Sequence, residues 1–249
     1  PAHHQCGRCK KVYSGEPYDD VIFAHTHNRN LSNARATAWA YAITGQQQFA
    51  RYTANVLLGY AQRYRKYPYH ANTRTDLVWK RISGGYLFEQ TLNEASVLSQ
   101  YIAPAYDLVH GMLSDADRTK IRDGLILPIL KNIDKYKAGK NNWQTWHNAG
   151  MLAGGAVLGD VAWVRKAITQ NRCGFVDQMN VSVSADGMWY ENSWGYHFYT
   201  LQAMILIAEY ARRLDIDLWS HPSLQKMFPL AVHYTMADGS LPRFGDDVQ

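Results

Sequence analysis

The stretch from Leu201 to Ala211 constrains the fold more than any other. Leu201, Met204, Ile205, Ala208 and Ala211 fall at offsets 0, 3, 4, 7 and 10, one face of a helix, while Leu206 and Ile207 make the opposite face apolar as well. A helix apolar all round has to be covered on both sides, so other helices must sheathe it. The rest of the chain supplies them. Phe49, Tyr52, Val56, Leu57, Tyr60 and Tyr64 mark a second helical face between Gln46 and Tyr64, with Pro68 beyond its end. Asn30 to Thr44 reads as a helix closed by Gly45. Leu87 to Val109 reads as another, kinked or split at Pro104. Ser114 with Asp115 and Asp117 caps a helix running to about Tyr136, the acids suiting the positive end of its dipole.

Further helices are predicted from Asn141 to about Leu158, from Asp160 to about Val176, and from about Leu224 to Met236, with a loop around Asp186-Gly187. Strand-type alternation nowhere exceeds four or five residues. The expected class is all-α: helical hairpins forming an α/α toroid, an inner ring of helices within an outer one, with a plain bundle or solenoid as the alternative. Residues 1–20 show no period and read as an extended arm, leaving 21–249 for the helical domain. The long polar connection from Tyr69 to Gly85, containing Trp79, Lys80 and Arg81, has the length of a functional loop.

With 26 basic and 21 acidic side chains the net charge is +5, dispersed rather than blocked, and no basic stripe or nucleic-acid motif occurs, so nucleic acid is not an expected partner. No apolar run is long enough for a membrane span. Three cysteines provide Cys6-Gly7-Arg8-Cys9, half of a zinc site at best, and a lone Cys173.

Two clusters carry the chemistry. Asn141-Asn142-Trp143-Gln144-Thr145-Trp146-His147-Asn148 opens a helix with more amides and indoles than a cap requires; Asp186-Gly187-Met188-Trp189-Tyr190-Glu191-Asn192-Ser193-Trp194-Gly195-Tyr196-His197-Phe198-Tyr199 opens another. The two are expected to face one another across a cleft that binds something polar and ring-shaped. Indoles offer sugar rings a flat apolar face with a donor at its edge, and Trp143, Trp146, Trp189 and Trp194 are the candidates, although packing is the usual fate of such residues. Asn142 could also serve only as a cap, His147 as a core histidine, and Tyr196 and Tyr199 as core aromatics at helical spacing.

These clusters, together with Leu241-Pro242-Arg243-Phe244-Gly245-Asp246, resemble the α/α toroid domain of heparinase II/III-like and alginate-lyase-like polysaccharide lyases, from about Val12 to the end of the chain. In such enzymes the toroid is followed by β-sandwich sheets, so the resemblance implies a longer protein whose C-terminal sandwich completes the site. It implies β-elimination on a uronate-containing acidic polysaccharide, a glycosaminoglycan first and alginate next, by a secreted or periplasmic enzyme. Asn142 corresponds to the residue that neutralises the uronate carboxylate and Tyr196, 54 positions later, to the base or acid. A phenol of pKa about 10 needs nearby positive charge to act as a base; His147 and Arg243 are candidates, and Tyr199, one turn from Tyr196, is a second candidate phenol. Arg243 also suits a substrate carboxylate or sulfate. Where relatives carry His or Glu near the neutralising residue, this chain has Trp143 and Thr145. No cofactor is required for the proton chemistry, and the arm resembles the second half of a zinc ribbon in some relatives. The alternatives are an α/α-barrel glycoside hydrolase using Asp186 with Glu191 or Asp246 as its carboxylates, or a non-catalytic carbohydrate-binding domain.

Overall fold

A computed structural model of the chain describes residues 3–71 and 83–247. Most of the Tyr69–Gly85 connection, including Trp79, Lys80 and Arg81, lies outside the described residues. The arm begins as a small antiparallel hairpin, not an extended strand: β1 (His4–Gln5) pairs with β2 (Val12–Tyr13) across the turn that carries Cys6 and Cys9. Helix α1 (Tyr18–Thr44) starts twelve residues before the expected Asn30, and Gly45 stops it in the left-handed region at φ 70°. Helix α2 (Gln47–Arg63) folds back along it, burying Ala50, Thr53, Leu57 and Tyr60; Tyr52, expected on that face, is exposed.

The next two helices each contain a widened turn. α3 (Thr91–Val97) passes through a π-type turn at Leu98–Ile102 into α4 (Ala103–Val109), and α5 (Asp115–Ile121) passes through another at Arg122–Ile126 into α6 (Leu127–Lys135). Pro104 and Pro128 stand just after these turns. A proline has no N–H for the carbonyl four residues earlier and its ring crowds that carbonyl, so the helix widens by a residue there and runs on. Pro104 therefore does not split its helix. Leu87 to Gln90 precede the helix proper, and Ser114 caps α5 as expected, accepting from Asp117 N at 3.2 Å.

Helix α7 (Asn142–Leu158) is the central element, buried along nearly its whole length. Its glycines explain how neighbours approach so closely: a Cβ at Gly150 would lie 3.0 Å from Ala95 Cα, at Gly154 2.9 Å from Leu130, and at Gly155 2.8 Å from Trp163 Cβ. Helices α8 (Val161–Thr169) and α9 (Phe175–Val181) take the place of the single helix expected after Asp160, parted at Gly174. The loop at Asp186-Gly187 is present and bends back through a bridge between Val183 and Trp189. Helix α10 (Trp194–Arg212) lies against α7, and α11 (Pro222–Met227) and α12 (Leu230–Tyr234), separated around Pro229, replace the single final helix. The apolar stripe that demanded a sheath has one: Leu201, Ala203, Met204, Ile207, Ala208 and Ala211 are all buried in the main core. Among the described residues no helix is long and apolar enough to cross a membrane.

One buried acid ties these layers together. Glu94, fully enclosed, accepts from Tyr64 Oη at 2.7 Å, Asn132 Nδ2 at 2.8 Å, and the backbone N–H groups of Tyr86 at 2.7 Å and Leu87 at 3.0 Å. It thus joins α3 to α6, to the turn after α2, and to the segment following the undescribed residues. Burial raises its pKa, against the lowering effect of those four donors.

Candidate functional site

The start of α7 divides its labour between two adjacent asparagines. Asn141 is the cap, its Oδ1 accepting from Trp143 N at 2.8 Å. Asn142 is thereby free for other work. Its Nδ2 lies 2.9 and 2.8 Å from the two carboxylate oxygens of Glu191, and Trp189 Nε1 donates to Glu191 Oε2 at 2.6 Å. Glu191 belongs to the loop just before α10, so this trio ties the N-terminal ends of α7 and α10 together. A second strap runs alongside: Tyr190 Oη donates to Lys140 O at 2.6 Å, with Lys140 Nζ 4.3 Å from the centre of the Tyr190 ring.

One turn further along both helices, Trp146 packs on Tyr199 with ring centroids 5.1 Å apart. Asn142 precedes Trp146 by four residues and Tyr196 precedes Tyr199 by three. With N-terminal ends side by side, Asn142 and Tyr196 therefore sit at the same level of neighbouring helices. Tyr196 opens onto a cleft of about 730 Å³, shared with Trp194, Tyr199, Pro242, Arg243 and Asp246. Asn142 does not line this cleft; it is 4% exposed, its amide turned to Glu191.

The head of α10 is unusually well anchored. Ser193 caps it and donates from Oγ to Asp247 Oδ1 at 2.6 Å; Gly195 N donates to the same oxygen at 3.0 Å, and Phe244 N to Oδ2 at 3.0 Å. Burial alone would raise the pKa of Asp247, but these donors outweigh it and hold the carboxyl well below its usual range. Trp194 Nε1 donates to Pro242 O at 2.8 Å, and Trp194 packs with Met188, Leu230, Leu241 and Phe244 in a small cluster of its own.

Other candidates are placed differently from expectation. Trp146 and Trp189 are fully buried, at 0% exposure, so neither presents a face to a sugar; they shape the wall from behind. His147, at 1% exposure, does not open onto the Tyr196 cleft, and burial alone lowers its pKa to about 4. A neutral imidazole cannot supply the positive charge a phenolic base needs. Arg243 can: it is exposed on the Tyr196 cleft, and among the described residues no carboxylate lies within ion-pair distance of it. Burial raises the pKa of Tyr199 to about 12, which keeps its phenol protonated at neutral pH. His197 is buried, accepting from Trp189 N at 3.3 Å through Nδ1 and donating to Met227 O at 3.1 Å through Nε2.

Trp143 and His147 line a separate cleft of about 410 Å³ on another side of the α7 start. The two sequence clusters do meet, yet at a shared helix-end junction flanked by two clefts rather than across one. Glu191 was missed as a partner of Asn142, since sequence offers no sign of which of two adjacent asparagines is the cap.

Among the described residues no group of three or more histidine, cysteine or acidic side chains is arranged to hold a metal. Cys6 and Cys9 are free thiols on the hairpin turn, and the neighbouring His4 is engaged by Asp19 at 2.6 Å.

Comparison with known proteins bears on the family and the fold. The family described as Alginate lyase matches residues 23–241. An exo-oligoalginate lyase of Saccharophagus degradans is 29% identical over 191 residues, covering 74% of this chain and 25% of the relative. An alginate lyase of Stenotrophomonas maltophilia is 29% identical over 198 residues, covering 75% and 25%. The chain thus spans about a quarter of the length of these relatives. Among solved structures, alginate lyase A1-III from Sphingomonas species A1 superposes with a TM-score of 0.64 at 16% identity, over 92% of this chain and 64% of that one. Heparan sulfate lyase HepC from Pedobacter heparinus gives 0.57 at 18% identity, over 99% and 38%. The helical architecture is accordingly the α/α toroid of these lyases, and the chain belongs to the alginate lyase family.

Proposed function

We propose that this chain is the toroid portion of a polysaccharide lyase that cleaves a uronate-containing polymer by β-elimination, alginate ahead of glycosaminoglycans. The observation that carries the proposal is the junction of the α7 and α10 N-termini, with Asn142 tied to the loop before α10 and Tyr196 on an open cleft. Family and relatives named for alginate favour that substrate; the neighbour named for heparan sulfate supports the fold alone.

Elimination makes three physical demands: neutralise the carboxylate next to C5, remove the C5 proton, and return a proton to the departing 4-linked oxygen. Asn142 serves the first as a donor that does not compete for the proton. Tyr196 serves the other two, as base and then acid, and Arg243 brings a positive charge to the same cleft. Trp194 and Tyr199 form the apolar part of the wall. No metal takes part in these steps. Cys6 and Cys9 would form half of a structural zinc site, needing two more ligands from outside the described residues. The substrate polymer points to a secreted or periplasmic enzyme, and a β-sandwich further along the protein would supply the remaining groups of the site.

Incubation with alginate, polymannuronate or heparan sulfate tests the proposal. Elimination leaves a conjugated unsaturated uronate whose ultraviolet absorbance grows as new chain ends form. New reducing ends without that absorbance mean hydrolysis, and the lyase proposal is then withdrawn. The hydrolase alternative has weak support from its own carboxylates: Glu191 is held by Asn142 and Trp189, and hydrogen bonds from Ser184 and Tyr234 lower the pKa of Asp186, which suits no general acid.

A further inference from the structure

At the end of the toroid away from Tyr196, α1, α4 and α10 run side by side in one direction. His27 of α1 lies 6.2 Å from the Phe88 ring while Arg35, two turns on, meets Gln100. Likewise His147 meets Thr91 next to the Trp146–Tyr199 contact, while Tyr210 meets Ser99. The C-terminal ends of the three helices therefore lie together, with Tyr210 about 21 Å along α10 from Tyr196. The widened turn at Leu98–Ile102 shapes this end. Ala103 N reaches back to Leu98 O and passes over Ser99 O, which accepts from Tyr210 Oη at 3.0 Å instead. Pro104 has no N–H for Gln100 O, which accepts from Arg35 Nη1 at 3.4 Å. Two carbonyls released by one turn thus tie α10 and α1 to it around a cleft of about 280 Å³, with Trp39, Leu108 and Leu206 in its walls.

Apolar side chains stand out of this end, and nothing among the described residues covers them. Trp39 and, one turn later, Ile43 are exposed on α1, Ile43 at 79%. Met112, four residues after Leu108, and Leu214, four after Tyr210, are exposed just past the ends of their own helices. Contiguous apolar surface of this kind marks a contact site, and Trp, Met and Arg are the side chains enriched in such contacts. Two charges on the cleft are unmatched. Glu209 is held by Arg212 through both oxygens, at 3.0 and 2.7 Å, whereas neither Arg35 nor Asp107 has an ion-pair partner among the described residues. The Arg35 guanidinium carbon rests 5.0 Å from the centre of the Tyr101 ring, so this cation is held in place at the interface side of α1.

We propose that this end of the toroid is where two copies of the chain associate about a two-fold axis. A patch with one free cation and one free anion is complementary to itself: the two-fold sets Arg35 of each copy against Asp107 of the other, with Trp39 and Ile43 as the apolar centre. An acidic partner would be opposed by Asp107 and a basic one by Arg35, so a second copy suits the surface better than either. On the function proposed above, groups that complete the Tyr196 cleft belong at the opposite end and leave this one free.

Sedimentation velocity between about 1 and 100 μM tests the interface. The wild type is expected to sediment at twice the mass of a single chain. Ile43→Glu alters only an exposed side chain and is expected to weaken the dimer at least tenfold. Arg35→Asp and Asp107→Arg should each weaken it by a similar factor, and the double variant, which exchanges the two charges, should return to within about threefold of wild type. A wild type that stays monomeric at about 100 μM overturns the proposal, as does a dimer that Ile43→Glu leaves intact. A double variant as weak as the single ones overturns the pairing of Arg35 with Asp107. The measurement needs no turnover, so the two proposals fail separately: a monomer that releases unsaturated product removes the interface alone, and a dimer that releases none removes the lyase reading alone.

Discussion

At the scale of single residues, the division between Asn141 and Asn142 matters most. The first satisfies an N–H of the helix end; the second donates to Glu191 and stands one turn before Trp146. The excess of amides at this helix start was legible in the sequence, but which amide did which task was not, because both roles call for the same side chain. Tyr196→Phe keeps the ring and removes only the hydroxyl. It is expected to lower kcat at least a thousandfold, about 4 kcal/mol, with Tm unchanged, as followed by unsaturated-product absorbance and a melting curve. Wild-type turnover in that variant would remove Tyr196 from the chemistry. Glu191→Ala leaves the Trp189 indole and the Asn142 amide without their acceptor. We expect roughly tenfold or greater loss of kcat/KM and a loss of stability of about 1–3 kcal/mol, measured by kinetics alongside urea denaturation.

At the scale of elements, periodicity located α2 and α7 to within one or two residues of the expected ends, because their apolar patterns are long and a proline or glycine follows, whereas α10 starts seven residues before the expected Leu201. It failed where packing overrides local preference. The front of α1, with Asp19, Asp20, His25 and His27, carries too many polar residues to show a stripe and is largely exposed, yet it is helical and packs Phe23 and the buried His27 against Tyr60 and Tyr67. The widened turns before Pro104 and Pro128 were also hidden, since a proline in a helical pattern signals a break unless neighbours hold both halves in line. The glycines of α7 have the opposite character. Gly155→Ala gains about 1 kcal/mol of helix propensity, but the new Cβ would come within 2.8 Å of Trp163 Cβ and 3.0 Å of Val164 N. A net loss of about 1–3 kcal/mol is expected in denaturant melts; a stabilised variant would mean that α8 yields more easily than its close packing implies.

At the scale of the whole molecule, several histidines are buried in neutral form. The pKa values of His27 and His147 are each lowered to about 4, and those of His197 and His221 are lowered as well, burial being the leading cause in every case. The unfolded chain binds protons at these positions near pH 6.5, whereas the folded one does so only at lower pH, near 4 for His27 and His147, so their stabilising contribution is complete above the first value and is lost as pH falls towards the lowered ones. Glu94 acts in the opposite sense: its raised pKa makes the fold lose stability as pH rises through that value. With four histidines against one acid, stability should fall by several kcal/mol between about pH 6.5 and pH 4, measured by urea melts across that window. A flat profile would show that these rings titrate freely in the folded protein.

The all-helical class and the order of the two clusters could be read from the chain, whereas the position of its last described residues could not. Asp247 returns from beyond α12 to hold the head of α10 through Ser193 and Gly195. The segment beyond α12 is therefore a latch on the wall that carries Tyr196. A fragment cut after Ser240 would lose Arg243 together with the fastening, whereas Asp247→Ala keeps Asn142, Tyr196 and Arg243 and removes only the fastening, so lower activity in that variant would be a fault of anchorage rather than of chemistry.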